Sequence, residues 1–252
     1  MVNLLIYFLK KDIKTKYAGS GLGLLWAFLL PLFQVLLFWF VFSLILKARP
    51  YGSLQIPYIY FLLSSFFFWL AFSEGLARST SVIVENSEIV KKVSFPYVIL
   101  PLTVTLSSYI HNLIGFVIFI IFYVSTTGFH PVFFLIIPVL LSQIAFSTGL
   151  GMIFSSLVPY FRDLTQVVGY ILQGMFFLSP IMYSIDSLPQ KFRPVISLNP
   201  ISHFATSYQD ILLLRKPPAL SDSMIIFFLA LLALTVGSLM FRKLKDGFAD
   251  VL

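Results

Sequence analysis

Six apolar runs, each close to the length that crosses a bilayer, leave this chain few folds to choose from. A hydrocarbon core about 30 Å thick takes roughly 20 helical residues to span. Inside it every backbone N–H and C=O must be satisfied within the segment, so such runs become helices. They fall near residues 22–46, 56–73, 97–124, 132–157, 164–183 and 223–241. Only 11% of the 252 residues are charged and 59% are hydrophobic, against roughly a quarter charged in a soluble domain. The gaps are too short for a folded soluble unit. The expected fold is therefore an all-α integral membrane protein, one domain over 1–252 with six transmembrane helices. The absence of cysteine excludes disulfides and thiolate chemistry. The net charge of +7 sits at the edges of the apolar runs, which is what membrane topology requires and what a nucleic-acid surface does not explain. No basic segment precedes the first apolar residues, so a signal peptide of the usual form is not expected.

Between the second and third runs lies a mixed-charge island, 74–96, holding Glu74, Arg78, Glu85, Glu88, Lys91 and Lys92. Charges are costly in hydrocarbon, so the island belongs in water or among headgroups. Glu74 and Arg78 are four apart with the acid first, the favoured order for a helical ion pair. A second short helix is expected after Asn86 as N-cap, with Glu88 in its first turn and Lys91 and Lys92 in its last, an order that suits the helix dipole. Ile89, Val90 and Val93 give it an apolar side, and Pro96 ends it. Such a helix is either a docking element for a soluble partner or a solvated loop on headgroups.

Residues 3–17 are too short to span. Leu5, Leu9, Ile13 and Tyr17 share one side while Lys10, Lys11 and Lys14 face away, the pattern of an interfacial amphipathic helix. Gly19, Ser20, Gly21 and Gly23 follow as a flexible break before the first span. Pro31, Pro101 and Pro138 predict kinks in or near spans. The fifth run is the most polar, and its Gly169 and Gly174 are expected to allow close helix contact. Residues 184–220 are cut by prolines and read as outer re-entrant or surface-lying helices, with a short amphipathic helix over 201–214. Eleven of the seventeen Lys and Arg lie on the side of the two termini, which places both termini in the cytoplasm.

Chemistry-bearing patterns are sparse. The chain has no G-x-x-x-x-G-K-[ST] loop, so any ATP hydrolysis falls to a partner. No metal-ligand pattern is present. Aromatic residues crowd the first run (Trp26, Phe33, Trp39), the second (Phe66, Phe67, Phe68, Trp69) and the fifth (Tyr170, Phe177); they read as lipid-facing bulk or as the lining of a path through the membrane. His111 and Asn112 lie mid-span with no Asp or Glu expected nearby, which favours an interhelical hydrogen bond over proton relay. Arg162 and Asp163 form either a solvated turn or a cytoplasmic gate. A secondary transporter would want buried carboxylates and internal repeats. A membrane enzyme would want a cluster of acids or His/Asp on one face. Neither pattern is visible.

Several stretches together resemble a known family. KDIKTKYAGSGLGLLWAFLLPLF (11–33), FSEGLARSTSVIVENSEIVKKVSFPYVILPL (72–102), FRDL (161–164), FFLSPIMY (176–183) and LNPISHF (198–204) resemble, in order, segments of the ABC-2 type permeases that export polysaccharides. The resemblance implies a multi-pass permease of the bacterial inner membrane that acts as a homodimer with two copies of a separate ATPase subunit. That subunit would bind Mg-ATP, and this chain would carry no cofactor. The substrate would be a polysaccharide, foremost O-antigen, on an undecaprenyl-pyrophosphate lipid; capsule, teichoic acid, lipid or drug are the alternatives. Coupling to the ATPase would then fall to Glu88, Ile89, Lys91, Lys92 and Val93, and reception of the lipid pyrophosphate to Lys14, Lys16, Gly19, Ser20 and Gly21. The channel would be lined by Trp26, Phe33, Trp39, Tyr170 and Phe177, with Arg162 and Asp163 as gate.

Overall fold

The computed structural model describes residues 2–16, 19, 21–47, 56–93 and 95–252, apart from the side chains of Leu24 and Ala249. Tyr17, Ser20 and Arg49 lie outside the described residues. The amphipathic helix α1 (Val2–Lys16) precedes the first span, α2 (Trp26–Phe38), which continues as π-helical turns over Trp39–Ile45. Then come α3 (Tyr58–Glu85), the short α4 (Ser87–Lys92) and α5 (Ile99–Thr127). A 3₁₀ turn over Pro131–Leu135 leads into α6 (Ile136–Leu157), followed by α7 (Leu164–Phe177). Residues 184–220 hold α8 (Arg193–Ser197) and α9 (Pro200–Leu212); α10 (Leu220–Leu244) and α11 (Phe248–Val251) follow. Five of the described helical segments are long and apolar enough to cross a membrane. The fifth span is the exception. Its helix has 14 residues, about 21 Å at 1.5 Å per residue, and it stops at Phe177 before Pro180.

α3 is the axis of the bundle, packed against α5, α6, α7 and α9. It is 28 residues long and so runs well past the expected end of the second span at 73. The aromatics of this run are therefore neither lipid-facing nor channel-facing. Phe66, Phe67, Phe68, Trp69 and Phe72 are buried core, and Phe68 stacks on Tyr208 of α9 with ring centroids 3.7 Å apart. Two of its small polar residues are satisfied within the helix. Ser64 donates to Phe61 O at 2.7 Å and Thr80 to Leu76 O at 2.7 Å, so they sit in a dry interior at little cost.

The close helix contacts come from glycines other than those of the fifth span. A Cβ on Gly149 of α6 would lie 2.3 Å from the carbonyl carbon of Ala233, and one on Gly237 of α10 would lie 2.3 Å from Gly149 O. Gly115 of α5 is pressed by the Phe67 ring and by Pro31, which is how α2 docks. Gly169 and Gly174 meet nothing within 4 Å; their face of α7 is open.

Two proline expectations change. Pro101 stands third in α5, where the missing N–H would have no intrahelical partner anyway; Pro138 stands third in α6, just past the 3₁₀ turn that leads into it. Only Pro31 is interior to its helix. The short helix expected over 201–214 is α9, and nine of its residues are buried against the rest of the bundle. Tyr208 donates to Gln143 at 2.7 Å, and Tyr123 to Leu212 O at 2.6 Å.

Candidate functional site

The short helix α4 forms where expected, but by different local chemistry. Asn86 does not cap it with its side chain. Its φ of −104° and ψ of 23° lie outside the extended region an N-cap adopts, and its amide donates back to Val82 O at 2.8 Å, finishing α3 instead. Val90 is not part of the outward apolar side. It is buried on Phe248 and Phe241 near the chain's end, and its carbonyl accepts from Tyr97 at 3.1 Å. What α4 presents outward is Glu88, Lys91, Lys92 and Val93, with Ile89 half-buried. Glu88 and Lys92 pair across one turn, and Val93 is 53% exposed. The result is a small charged knob with one apolar contact at its rim, fixed to the bundle from below.

α1 lies against α5, with Leu5, Leu9 and Ile13 on its packed side as the wheel predicts. Phe8 and Asp12 share that side, and both were passed over in the sequence. Phe8 stacks on Phe95, just past α4, at 5.8 Å. Asp12 binds Arg78 at 2.6 Å. Lys16 binds Glu74 at 2.6 Å, while Arg78 and Glu74 form the expected i,i+4 pair at 3.7 Å. Lys16 is thus engaged by a carboxylate, whereas Lys14 is exposed. Gly19, at φ +82°, and Gly21 are exposed as well.

Glu74 also corrects the reading of α5. Asn112 donates to it at 2.9 Å and to Ser108 O at 2.9 Å, so an acid does stand beside His111 and Asn112. The signal was present as an acid at the end of an apolar run. The helical Glu74–Arg78 pair is legible in the sequence; that Glu74 comes beside α5 is not, because it depends on how α3 and α5 pack. These residues sit at the base of a groove of about 700 Å³ that opens between α2 and α7. Leu30, Phe33 and Leu37 form one wall; Gly169 and Leu172 reach in from α7. A second hollow, about 240 Å³, adjoins Gln166, Gly169, Tyr170 and Gln173.

All five aromatics singled out in the first and fifth spans are exposed on the single chain, Phe33 at 66%, Tyr170 at 75% and Phe177 at 63%. Phe33 lines the larger groove and Tyr170 the smaller hollow. Trp26, Trp39 and Phe177 line neither. Arg162 and Asp163 lie exposed in the turn before α7, with Asp163 at its N-cap position but making no side-chain cap. Among the described residues no group of three or more His, Cys, Asp or Glu converges as metal ligands would.

His203 of α9 is held between two acceptors. Nδ1 lies 2.7 Å from Asp222 and Nε2 lies 2.9 Å from Ser197 O. Hydrogen bonding to Asp222 holds this histidine above its ordinary pKa.

Comparison with known proteins fits this architecture. The family profile described as ABC-2 type transporter matches residues 3–213. The O-antigen export system permease protein RfbA of Klebsiella pneumoniae is 31% identical over all of this chain and 96% of its own length. The protein of the same name from Myxococcus xanthus is 26% identical over 98% of this chain and 94% of its own length. The polysialic acid transport protein KpsM of Escherichia coli is 24% identical over 94% and 92%. A profile matched over most of the residues, and a relative this similar from end to end, place the chain in the ABC-2 type transporter family.

Proposed function

We propose that this chain is the membrane subunit of an ATP-driven exporter of lipid-linked polysaccharide, foremost O-antigen, in a bacterial inner membrane. Two copies form the channel, and two copies of a separate ATPase subunit bind Mg-ATP and dock on α4. The substrate is carried on undecaprenyl pyrophosphate, whose phosphates are received near Lys14, Lys16 and the glycines that follow. Both termini are cytoplasmic.

The observation that carries the reading is the pair of open faces on α2 and α7. Only Ala27 and Pro31 of α2, and only Val168 and Leu172 of α7, are buried. The two helices flank a groove rather than closing it. A long polymer needs a continuous path whose walls hold sugars weakly. Exposed aromatic faces give contacts of about 0.5–1.5 kcal/mol, by analogy with aromatic pairs, which are readily broken and remade. α4 supports the second half of the reading, since an exposed charged knob anchored by Val90 has the form of a docking element. Alanine at Phe33 or Tyr170 is expected to reduce polysaccharide at the cell surface while co-purification of the ATPase subunit is unchanged. Unchanged surface polysaccharide for Trp26, Phe33, Trp39, Tyr170 and Phe177, replaced one at a time, would place the path elsewhere.

A further inference from the structure

The groove between α2 and α7 has apolar walls and a polar floor, and most of the floor comes from helices other than those that form the walls. Glu74 and Ser73 come from α3, His111 and Asn112 from α5, with Gln34 of α2 at their edge. A carboxylate, an imidazole and two amides lining a hollow with apolar walls are expensive to desolvate unless they serve a ligand or each other. Part of the floor is self-satisfied: Glu74 Oε1 accepts from Lys16 and Oε2 from Asn112. Each carboxylate oxygen still has a further lone pair, and Gln34 brings two amide donors and an acceptor. Lys16 and Arg78 both face Glu74, and Arg78 also pairs with Asp12, so these four side chains together carry no net charge.

An acyl chain cannot answer such a floor, because it would bury the polar groups without partners. A bare phosphate is no better matched, because the cations beside the floor, Lys16 and Arg78, are already paired with Glu74 and Asp12. A sugar matches both surfaces: its hydroxyls meet the floor and its C–H faces meet Phe33 and the leucines. The position adds a constraint. Lys16 ties the end of α1 to Glu74, so the floor lies directly beside the lysine-bearing end of that helix. In a lipid-linked sugar pyrophosphate, the phosphates and the first sugars are likewise adjacent.

We propose that Glu74, Asn112, His111, Gln34 and Ser73 form a binding site for the sugar units next to the lipid pyrophosphate, with Glu74 and Asn112 as its base. This rests on the export reading above and adds to it the groups that recognise the substrate's first sugars.

The test uses the complete transporter with its ATPase subunit in lipid nanodiscs and reads stimulation of ATP hydrolysis. Two probes are compared: lipid-linked saccharide extracted from the protein's own host, and undecaprenyl pyrophosphate without sugar. Gln34→Leu should raise the half-stimulating concentration of the first roughly fivefold, the scale of one lost hydrogen bond, and leave that of the second unmoved. Ser73→Ala, which removes one hydroxyl from the same floor, should shift the same ratio in the same direction. Lys14→Ala should shift both probes together. An unchanged ratio in both Gln34→Leu and Ser73→Ala overturns the sugar site while leaving export intact. If neither probe stimulates the parent transporter, the export reading falls and the site with it.

Discussion

Adding one methyl group to Gly237 should loosen the bundle, although alanine is the better helix former. In an open helical position Gly→Ala stabilises by roughly 0.5–1 kcal/mol. At Gly237 the new Cβ would lie 2.3 Å from Gly149 O and 3.2 Å from Gly149 Cα. Both neighbours are backbone and cannot rotate away. Ordinary contact needs about 1 Å more, so α10 must move off α6. A radial gap of 0.5–1 Å forfeits about a quarter to a half of each facing dispersion contact, and overpacking of this kind costs about 1–3 kcal/mol. The propensity gain offsets part of that and leaves a net loss of about 1–2 kcal/mol. Gly169, with nothing within 4 Å, is the internal control and keeps the gain. The two variants should differ by about 2–3 kcal/mol, or roughly 5–10 °C in Tm at 2–4 °C per kcal/mol for a chain of this size. Thermal unfolding of the detergent-solubilised chain, followed by circular dichroism, measures this. If Gly237→Ala melts at or above Gly169→Ala, the backbone contact between α6 and α10 is not what holds them together.

Val93→Ala should weaken co-purification of the ATPase subunit about fivefold, since a half-exposed valine has about 1 kcal/mol of apolar burial left to gain on docking; thermal stability should be unchanged. Val90→Ala should do the reverse to stability, lowering Tm through a cavity above Phe248, and the reading of α4 fails if the two act alike. The chain has no native cysteine, so single cysteines report topology cleanly: Thr127→Cys and Ser187→Cys should react with an impermeant reagent from outside, Ser87→Cys and Asp246→Cys should not, and outside labelling at Ser87 refutes the orientation. The raised pKa of His203 means its clamp on Asp222 and Ser197 is fully present below the unfolded histidine pKa and is lost as pH rises through the folded value. Stability should therefore decline over that window in the parent and be flat in His203→Gln; equal slopes would remove the clamp.

The sequence by itself determined that the chain lives in a membrane, where its six apolar runs fall and that α4 lies between the second and third. Those follow from run length and from the cost of charge in hydrocarbon, which are local properties. It also showed the packed side of α1, through Leu5, Leu9 and Ile13, because helical period alone assigns a face. It did not decide which apolar helix is central. The aromatic runs of the first and second spans read alike, yet Phe66, Phe67, Phe68 and Trp69 are core while Phe33 and Trp39 are exposed. In lipid both surroundings are apolar, so hydropathy carries no inside-outside contrast. Glycines were equally silent: Gly149 and Gly237 bring two backbones together while Gly169 and Gly174 face open space, and only the neighbouring helix distinguishes them. The candidate site was legible in parts. Glu74, Asn112 and Lys16 were each visible as polar residues near the membrane, but Asn112 and Lys16 are 38 and 58 residues from the shared acid along the chain. Their meeting depends on how far α3 runs before it ends and on where α1 lies against α5, and tertiary packing alone sets both.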